Sequence, residues 1–305
     1  MSISKFLKVI GRGSKGAKDL DREQSRQVFL EILSGKVSDL ELGAFCIAMR
    51  VKGESPDELA GFMDALDPFI NLFPEQSLPT IILPSYNGSR RQMNMTPLLA
   101  GLLCASGFSV IVQGIESDDA RITSFSIFNE LNWPIIQNKN DFSIIGQQNQ
   151  PIFCPIRILC PALNNLLSLR QRIGLRNTGH VLAKLINPTQ KHAWKICNFT
   201  HPEYPEKLKK YFQLRPENAI VMRGSEGEPT ASPQRLPEMA FHFLNGNIQK
   251  FPEKHFEDIV LPNDLDANIT ASLTKKMLEG SQPFPKSISL QANQISKTTL
   301  DLRQL

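Results

Sequence analysis

Near residue 75 the hydrophobic pattern changes its period. Before that point apolar residues recur at helical spacing. "DREQSRQVFLEILSG" sets Val28, Phe29, Ile32 and Leu33 on one face, with Gly35 placed to end the helix. "SDLELGAFCIAMRVKG" opens with Ser38 and Glu41 at capping-box spacing. "SPDELAGFMDAL" repeats the device with Ser55, Pro56 and Glu58, ahead of an apolar face of Leu59, Phe62, Met63 and Leu66. After residue 75 come short runs rich in Ile and Val: "TIIL", "FSVIVQG", "WPII", "AWKICNF" and "NAIVMRG". Helical stretches such as Thr96–Ser106 and Asp118–Leu131 separate several of them, and a further helical pattern fills 161–186. The alternation predicts βαβ units around a mainly parallel central sheet. The expected class is α/β, with a small all-helical N-terminal domain and a larger α/β domain.

Composition narrows the function classes. The apolar fraction of 41% is ordinary for a globular chain. No uninterrupted apolar run reaches about 18 residues, so no membrane span is expected. The opening "MSISKFLKVIGRGSKGAKD" reads as an amphipathic helix rather than a signal peptide. Cys46, Cys104, Cys154, Cys160 and Cys197 are scattered without a C-x-x-C pair, which fits reduced thiols in a cytoplasmic protein. His180, His192, His201, His242 and His255 show no metal-ligand spacing. "ESDDARITS" reads as an acidic first helical turn.

Charge is distributed unevenly. The net charge is +4, yet Arg157 to Arg223 holds twelve Lys and Arg against three Glu. Such an excess in about one-fifth of the chain suits a partner rich in negative charge. Within it "HPEYPEKLKKYFQL" reads as a helix started by Pro205. Leu208 and Phe212 face the core with Tyr211 at the edge, and Lys207, Lys209 and Lys210 occupy the opposite arc. A solvated surface is the plain alternative for these lysines. No sequence-reading motif is present, and aromatic residues near the basic stretch are few.

The loop "LPSYNGSRRQMNMTP" joins a strand to a helix, with Thr96 read as N-cap and Pro97 as first helical residue. Strand-to-helix loops are where α/β proteins hold phosphate. This one has a single glycine and two adjacent arginines, Arg90 and Arg91.

The segment "EILSGKVSDLELGAFCIAMRVKGESPDELAGFMDAL" resembles the N-terminal helical domain of anthranilate phosphoribosyltransferases. "GLRNTGHVLAKLINP", with Asn187-Pro188, and "VMRGSEGEP" resemble later segments of that family in the same order. The resemblance implies a nucleoside phosphorylase/phosphoribosyltransferase fold. Its helical domain would span 1–75, completed by an inserted segment at about 161–187, with 76–160 and 188–305 forming the α/β domain. It also implies dimerisation through the helices. The ancestral chemistry is displacement of pyrophosphate from phosphoribosyl pyrophosphate by an aromatic amine, which needs a diphosphate cradled by backbone amides and Mg²⁺.

Placed against that family, the residues depart from its pattern. Aligning Asn94 and Thr96 with the family's N-I-S-T puts its G-T-G-G-D loop on Pro84, Ser85, Tyr86, Asn87 and Gly88. Glycines that admit a diphosphate have become bulky residues, and Pro84 has no N–H. The family's K-H-G-N falls on Val112, Gln113, Gly114 and Ile115. Its metal-binding Asp-Glu pair is not reproduced, and only the shifted Glu226 and Glu228 stand nearby as weak metal candidates. Ser85, Asn87, Gly88, Asn94, Thr96 and Arg176 remain as a relic phosphate and substrate pocket, Arg176 matching the arginine that faces the amine's carboxylate. The profile resembles the divergent YbiB-like branch, whose members are associated with nucleic-acid binding.

The expectation is a non-catalytic, cytoplasmic homodimer without cofactor, meeting nucleic-acid phosphates through Lys207, Lys209, Lys210, Arg172, Arg176, Lys191, Arg90 and Arg91. A two-fold dimer would present the strip twice. The alternative is a phosphoribosyltransferase using phosphoribosyl pyrophosphate and Mg²⁺ with an unorthodox acceptor. A nucleotide sensor that only binds in the old pocket is a third.

Overall fold

In the computed structural model, residues 2–13, 15–144, 149–189, 193–257, 261–262 and 266–300 are described. The helices are α1 Ser4–Ile10, α2 Arg22–Leu33, α3 Asp39–Lys52, α4 Pro56–Leu66, α5 Thr96–Ala105, α6 Ser124–Glu130, α7 Ile156–Leu159, α8 Pro161–Ile173, α9 Gly179–Leu182, α10 Tyr204–Leu214, α11 Ala267–Leu278 and α12 Lys286–Leu300. The strands are β1 Thr80–Ser85, β2 Ser109–Gly114, β3 Ile152–Pro155, β4 Trp194–Phe199, β5 Ala219–Arg223, β6 Arg235–Leu236, β7 Met239–His242, β8 Ile248–Phe251 and β9 Lys254–His255.

Two units divide the chain. The helical unit gathers Met1–Asn71, Cys160–Ile186 and Glu206–Pro216, and the α/β unit takes the remainder. The last helical segment departs from the expected boundaries, which left all of 188–305 with the α/β domain. Its reason is local. Leu208, Tyr211 and Phe212 of α10 are buried, Tyr211 fully so rather than at the edge. Arg215 then pairs with Asp64 and, at 2.9 Å, with Asp67. Helices α2 and α4 meet so closely that a Cβ on Gly61 would overlap the Arg22 carbonyl oxygen. Phe29, Phe45 and Phe62 fill the space beside them, with ring centroids 4.9–6.4 Å apart.

In the helical unit the caps of α3 and α4 follow the sequence signals with one difference. Ser55 and Glu58 form a complete capping box on α4. Ser38 accepts from the Glu41 N–H without a complete box, and the Glu41 carboxylate accepts from the Ser38 hydroxyl at 2.9 Å, the Ser2 hydroxyl at 2.6 Å and the Ile3 N–H at 3.0 Å. It ties the chain's start to α3.

The α/β unit is built on a sheet of order β3-β2-β1-β4-β5-β7-β8 among the described residues. β3 through β5 run parallel, and β7 and β8 close the edge antiparallel. Ile81, Leu83, Val110, Val112, Ile196 and Ile220 face its core with α5 and α12 residues such as Leu98, Leu99 and Ile288. The strand order reverses between β1 and β4, the switch point where parallel sheets open a crevice at their carboxyl ends.

Several expected elements shift. "WPII" is not a strand, since Ile135 makes only an isolated bridge to Phe153. The strand at that edge is β3, whose Ile152–Pro155 was not anticipated. α6 begins at Ser124, not Asp118, because Thr123 caps it. The acids of "ESDDARITS" therefore precede the helix, and Glu116 pairs with Arg157 at 2.7 Å. β1 runs on through Pro84 and Ser85, paired with Gln113 and Gly114.

Candidate functional site

The site grows from the ends of β1 and β5. β1 delivers Ser85 at its last position, and the chain then turns through 86–95 into α5. At Gly88 the backbone has φ +66°, and a Cβ there would lie 2.8 Å from the Ile122 carbonyl oxygen. Glycine is required at this turn by both conformation and space. Thr96 is the first residue of α5, not its N-cap, and Met95 stands at the cap. Asn94 Oδ1 accepts the Thr96 N–H at 3.0 Å, while its amide donates to Ile122 O and Ser124 Oγ. The loop is thereby fastened to the segment before α6.

From the other side comes the segment after β5. Glu226 lies at φ +51° and Gly227 at φ +87°, a tight turn that presses on Asn87. A Cβ on Gly227 would overlap the Asn87 amide nitrogen. The turn carries Glu228 into the loop, where it is 1% exposed. Its Oε1 accepts the N–H groups of Asn87 at 2.9 Å and Gly88 at 2.8 Å. Its Oε2 accepts the Ser85 hydroxyl and, at 3.0 Å, the Thr96 hydroxyl. Glu226 does the same one step along. Its Oε1 accepts from Arg91 N at 2.8 Å and Gln92 N at 2.9 Å, and its Oε2 from Arg90 N at 3.0 Å. Arg121 Nη1 stands 3.6 Å from that second oxygen.

Two carboxylates thus occupy the donors of a strand-to-helix anion loop. A buried carboxylate is tolerable only when its oxygens are bonded, and these are. The arrangement bears on magnesium as well. As magnesium ligands Glu226 and Glu228 do not fit, because each oxygen faces an N–H or O–H donor. Among the described residues no three His, Cys, Asp or Glu side chains gather as a ligand set. No step through Mg²⁺ follows from this geometry.

The basic candidates fall in both units. Arg90 and Arg91 are exposed on the α/β unit, their backbone N–H groups holding Glu226. In the helical unit Lys209 and Lys210 are exposed on α10, while Lys207 is half-buried near Gly53. Arg172 is exposed and pairs with Asp39 at 3.2 Å, a contact between two open side chains. Arg176, Arg170 and Lys184 surround His180. Burial first, and the nearby Arg176 next, pull that imidazole down to about 3, so it is neutral and accepts the Asn177 N–H at 3.3 Å. Lys191 and His192 lie outside the described residues. Two members of the basic stretch do not reach solvent as unpaired cations. Lys195 is buried in β4 against Glu217 at 2.6 Å, and Arg215 is taken by Asp64 and Asp67.

The filling of the loop by Glu228 escaped the sequence reading. Ser85 and Glu228 are 143 positions apart. The available signal was the pairing of lost loop glycines with the shifted acids after β5.

A parallel sheet with a helical unit and a strand-to-helix anion loop defines a phosphoribosyltransferase-type scaffold. Its helical part, residues 4–67, matches the "Glycosyl transferase family, helical bundle domain". Solved structures agree on the fold. Anthranilate phosphoribosyltransferase from Thermus thermophilus aligns with TM-score 0.69 at 19% identity, covering 90% of this chain and 84% of that one. The Saccharomyces cerevisiae enzyme in complex with PRPP and Mg aligns with TM-score 0.69 at 15% identity, covering 98% and 94%. The protein described as "Uncharacterized protein YbiB" in Escherichia coli (strain K12) is 37% identical over 95% of this chain and 92% of its own length. The chain belongs to the anthranilate phosphoribosyltransferase-like family, glycosyl transferase family 3, in its YbiB-like branch. An anthranilate phosphoribosyltransferase of Dictyoglomus turgidum is 25% identical over 73% of this chain and 66% of its length.

Proposed function

We propose that the chain is a nucleic-acid-binding protein on a transferase scaffold, a homodimer that works without catalysis and without a cofactor. The observation that carries this reading is where the charge sits. The two later segments of the helical unit, Cys160–Ile186 and Glu206–Pro216, hold eight Lys and Arg against the single acid Glu206. The whole helical unit has eighteen cations against twelve acids, whereas the α/β unit has an excess of acids. Exposed Lys209 and Lys210, with Arg172, Arg176 and Lys207, suit backbone phosphates, and such contacts bring affinity with little sequence preference. The filled loop supports the non-catalytic half of the proposal.

The test is affinity for duplex DNA, single-stranded DNA and RNA across a salt series. Binding at low salt that weakens linearly on a log–log plot is expected. Lys209→Glu with Lys210→Glu should lower affinity and reduce the salt slope by about 2. No binding at low salt, or binding indifferent to salt, overturns the proposal.

Dimerisation is supported by apolar side chains left open on α3. Leu40, Ile47 and Val51 are 84%, 40% and 65% exposed. Sedimentation of the intact chain should give a dimer, and Val51→Glu a monomer. A cytoplasmic setting agrees with the free cysteines, whose thiols burial pushes up, to about 11 at Cys46 and about 12 at Cys104.

The alternative, a transferase for phosphoribosyl pyrophosphate and Mg²⁺, draws on the yeast neighbour's complex with that pair and on Arg176, Asn94, Thr96 and the two glutamates, Glu226 and Glu228. Calorimetry with phosphoribosyl pyrophosphate and Mg²⁺ separates the two. Our reading expects no heat that depends on Mg²⁺, and saturable Mg²⁺-dependent heat that is lost in Thr96→Val would favour the enzyme.

A further inference from the structure

We propose that a cleft beside the filled loop, within the α/β unit, is a binding site for a phosphate monoester. The cleft encloses about 280 Å³, and three arginines, Arg91, Arg223 and Arg235, line it. Each comes from a different element. Arg91 is on the loop after β1, Arg223 is the last residue of β5, and Arg235 opens β6. Like charges are not brought to one small cavity without cost, since each raises the potential felt by the others. An anion there relieves that repulsion.

The arginines are also available. Among the described residues the guanidinium groups of Arg91 and Arg223 make no hydrogen bond or ion pair, and both residues are exposed. Arg235 has only Glu253, at 3.7 Å with both side chains partly exposed. A contact of that length between solvated groups is readily surrendered. Glu226 also borders the cleft. Its oxygens are already committed to the N–H groups of Arg90, Arg91 and Gln92, so it fixes the Arg91 backbone as one wall of the site. The hydroxyl of Ser225, another lining residue, donates to Gln92 Oε1 at 3.0 Å and ties the β5 segment to that same wall.

The chemistry selects the ligand class. A monoester presents three terminal oxygens, and planar guanidinium groups bind such oxygens in pairs. The volume suits a phosphoryl head with a small group such as a ribose, not an extended polymer. The site shares Arg91 with the loop but is distinct from the position that Glu228 fills, and its lining lies wholly outside the helical unit. Its ligand could be a free sugar phosphate or the phosphorylated end of a strand.

The experiment titrates the full-length protein calorimetrically with inorganic phosphate, ribose 5-phosphate and a trinucleotide bearing either a 5′-phosphate or a 5′-hydroxyl. Saturable binding of ribose 5-phosphate at millimolar concentrations or tighter is expected. It should weaken about tenfold or more in Arg223→Gln and in Arg235→Gln, and be unchanged in Lys209→Glu/Lys210→Glu. The exposed Arg91→Gln serves as a third variant should either of the others fail to fold by thermal melting. Preference for the 5′-phosphorylated trinucleotide over ribose 5-phosphate identifies a strand end as the source, and the reverse a free sugar phosphate. No saturable binding of any phosphorylated probe overturns the proposal. So does binding that survives all the arginine variants but is lost in Thr96→Val, which would move it to the old loop. Salt-dependent nucleic-acid binding can fail without affecting these outcomes, so the two proposals are judged separately.

Discussion

Glu228 shows how one residue can change what a loop is for. Its carboxylate meets two backbone N–H groups and two hydroxyls in a position with 1% exposure. Removing it strands all four donors. Glu228→Ala should therefore cost about 3 kcal/mol in urea unfolding, in the range for a buried charged hydrogen-bond partner. Added sulfate or pyrophosphate should raise the variant's melting temperature more than the wild type's, because only the variant offers open donors. Equal shifts in both proteins would mean that the loop does not hold an anion. His180 gives a second prediction at this scale. With its imidazole pulled down to about 3 by burial and by Arg176, the unfolded chain binds a proton below about pH 6.5 while the folded chain does not. Stability falls as pH drops from 6.5 toward 3. Between pH 6.5 and 5 this residue should account for about 2 kcal/mol, a loss that His180→Gln should reduce when unfolding is measured at both pH values.

Elements show where local signals sufficed and where neighbours overruled them. α10 was legible from its spacing in part: Lys209 and Lys210 are exposed and Leu208 and Phe212 buried where the pattern puts them, but Lys207 is half-buried and Tyr211 fully buried. Tyr211→Ala should destabilise by about 3–5 kcal/mol in denaturant titration, as large core truncations do, while Lys209→Glu should stay within about 0.5 kcal/mol. The contrast separates the face that holds the fold from the face proposed to bind. Gly61→Ala should also destabilise, by about 1–3 kcal/mol, because the α2–α4 contact leaves no room for the methyl group. Strands were harder. "WPII" has the apolar run of a strand, but Ile135 reaches only a single bridge, and the ladder goes to "IFCP", which pairs with β2 from Ile152 through Pro155. Both candidates are short and apolar, Pro155 itself pairs with Gly114, and partner choice across a sheet is not written in either one. β1 extends through Pro84 because Ser85 still finds Gly114 opposite it, a pairing set by β2. The loss of the glycine loop was legible because it is a property of consecutive residues. The identity of what replaced the diphosphate was not, because Glu228 arrives from another strand.

At the scale of the molecule, charge separates between the units. Eight cations and a single acid lie in segments that are distant in sequence and share the helical unit. A count along the chain found the excess, but it also included Lys195 and Arg215, which are neutralised internally by Glu217 and by Asp64 with Asp67. Folding thus subtracts some cations from the working set, and it does so by burial that composition cannot register. Domain boundaries follow the same logic. Glu206–Pro216 leaves the α/β unit because Arg215 pairs with Asp64 and Asp67 and the Leu214 carbonyl accepts from Arg22, all in the helical one.

The turn through Gly227 has one more consequence. An anion carried on the chain itself is present at its loop at an effective concentration that no freely diffusing diphosphate in a cell approaches. Competition for the loop is decided in advance, whatever the supply of phosphoribosyl donors or nucleotides outside. On the proposed reading, a loop filled from within is closed to the diphosphate its scaffold was shaped around.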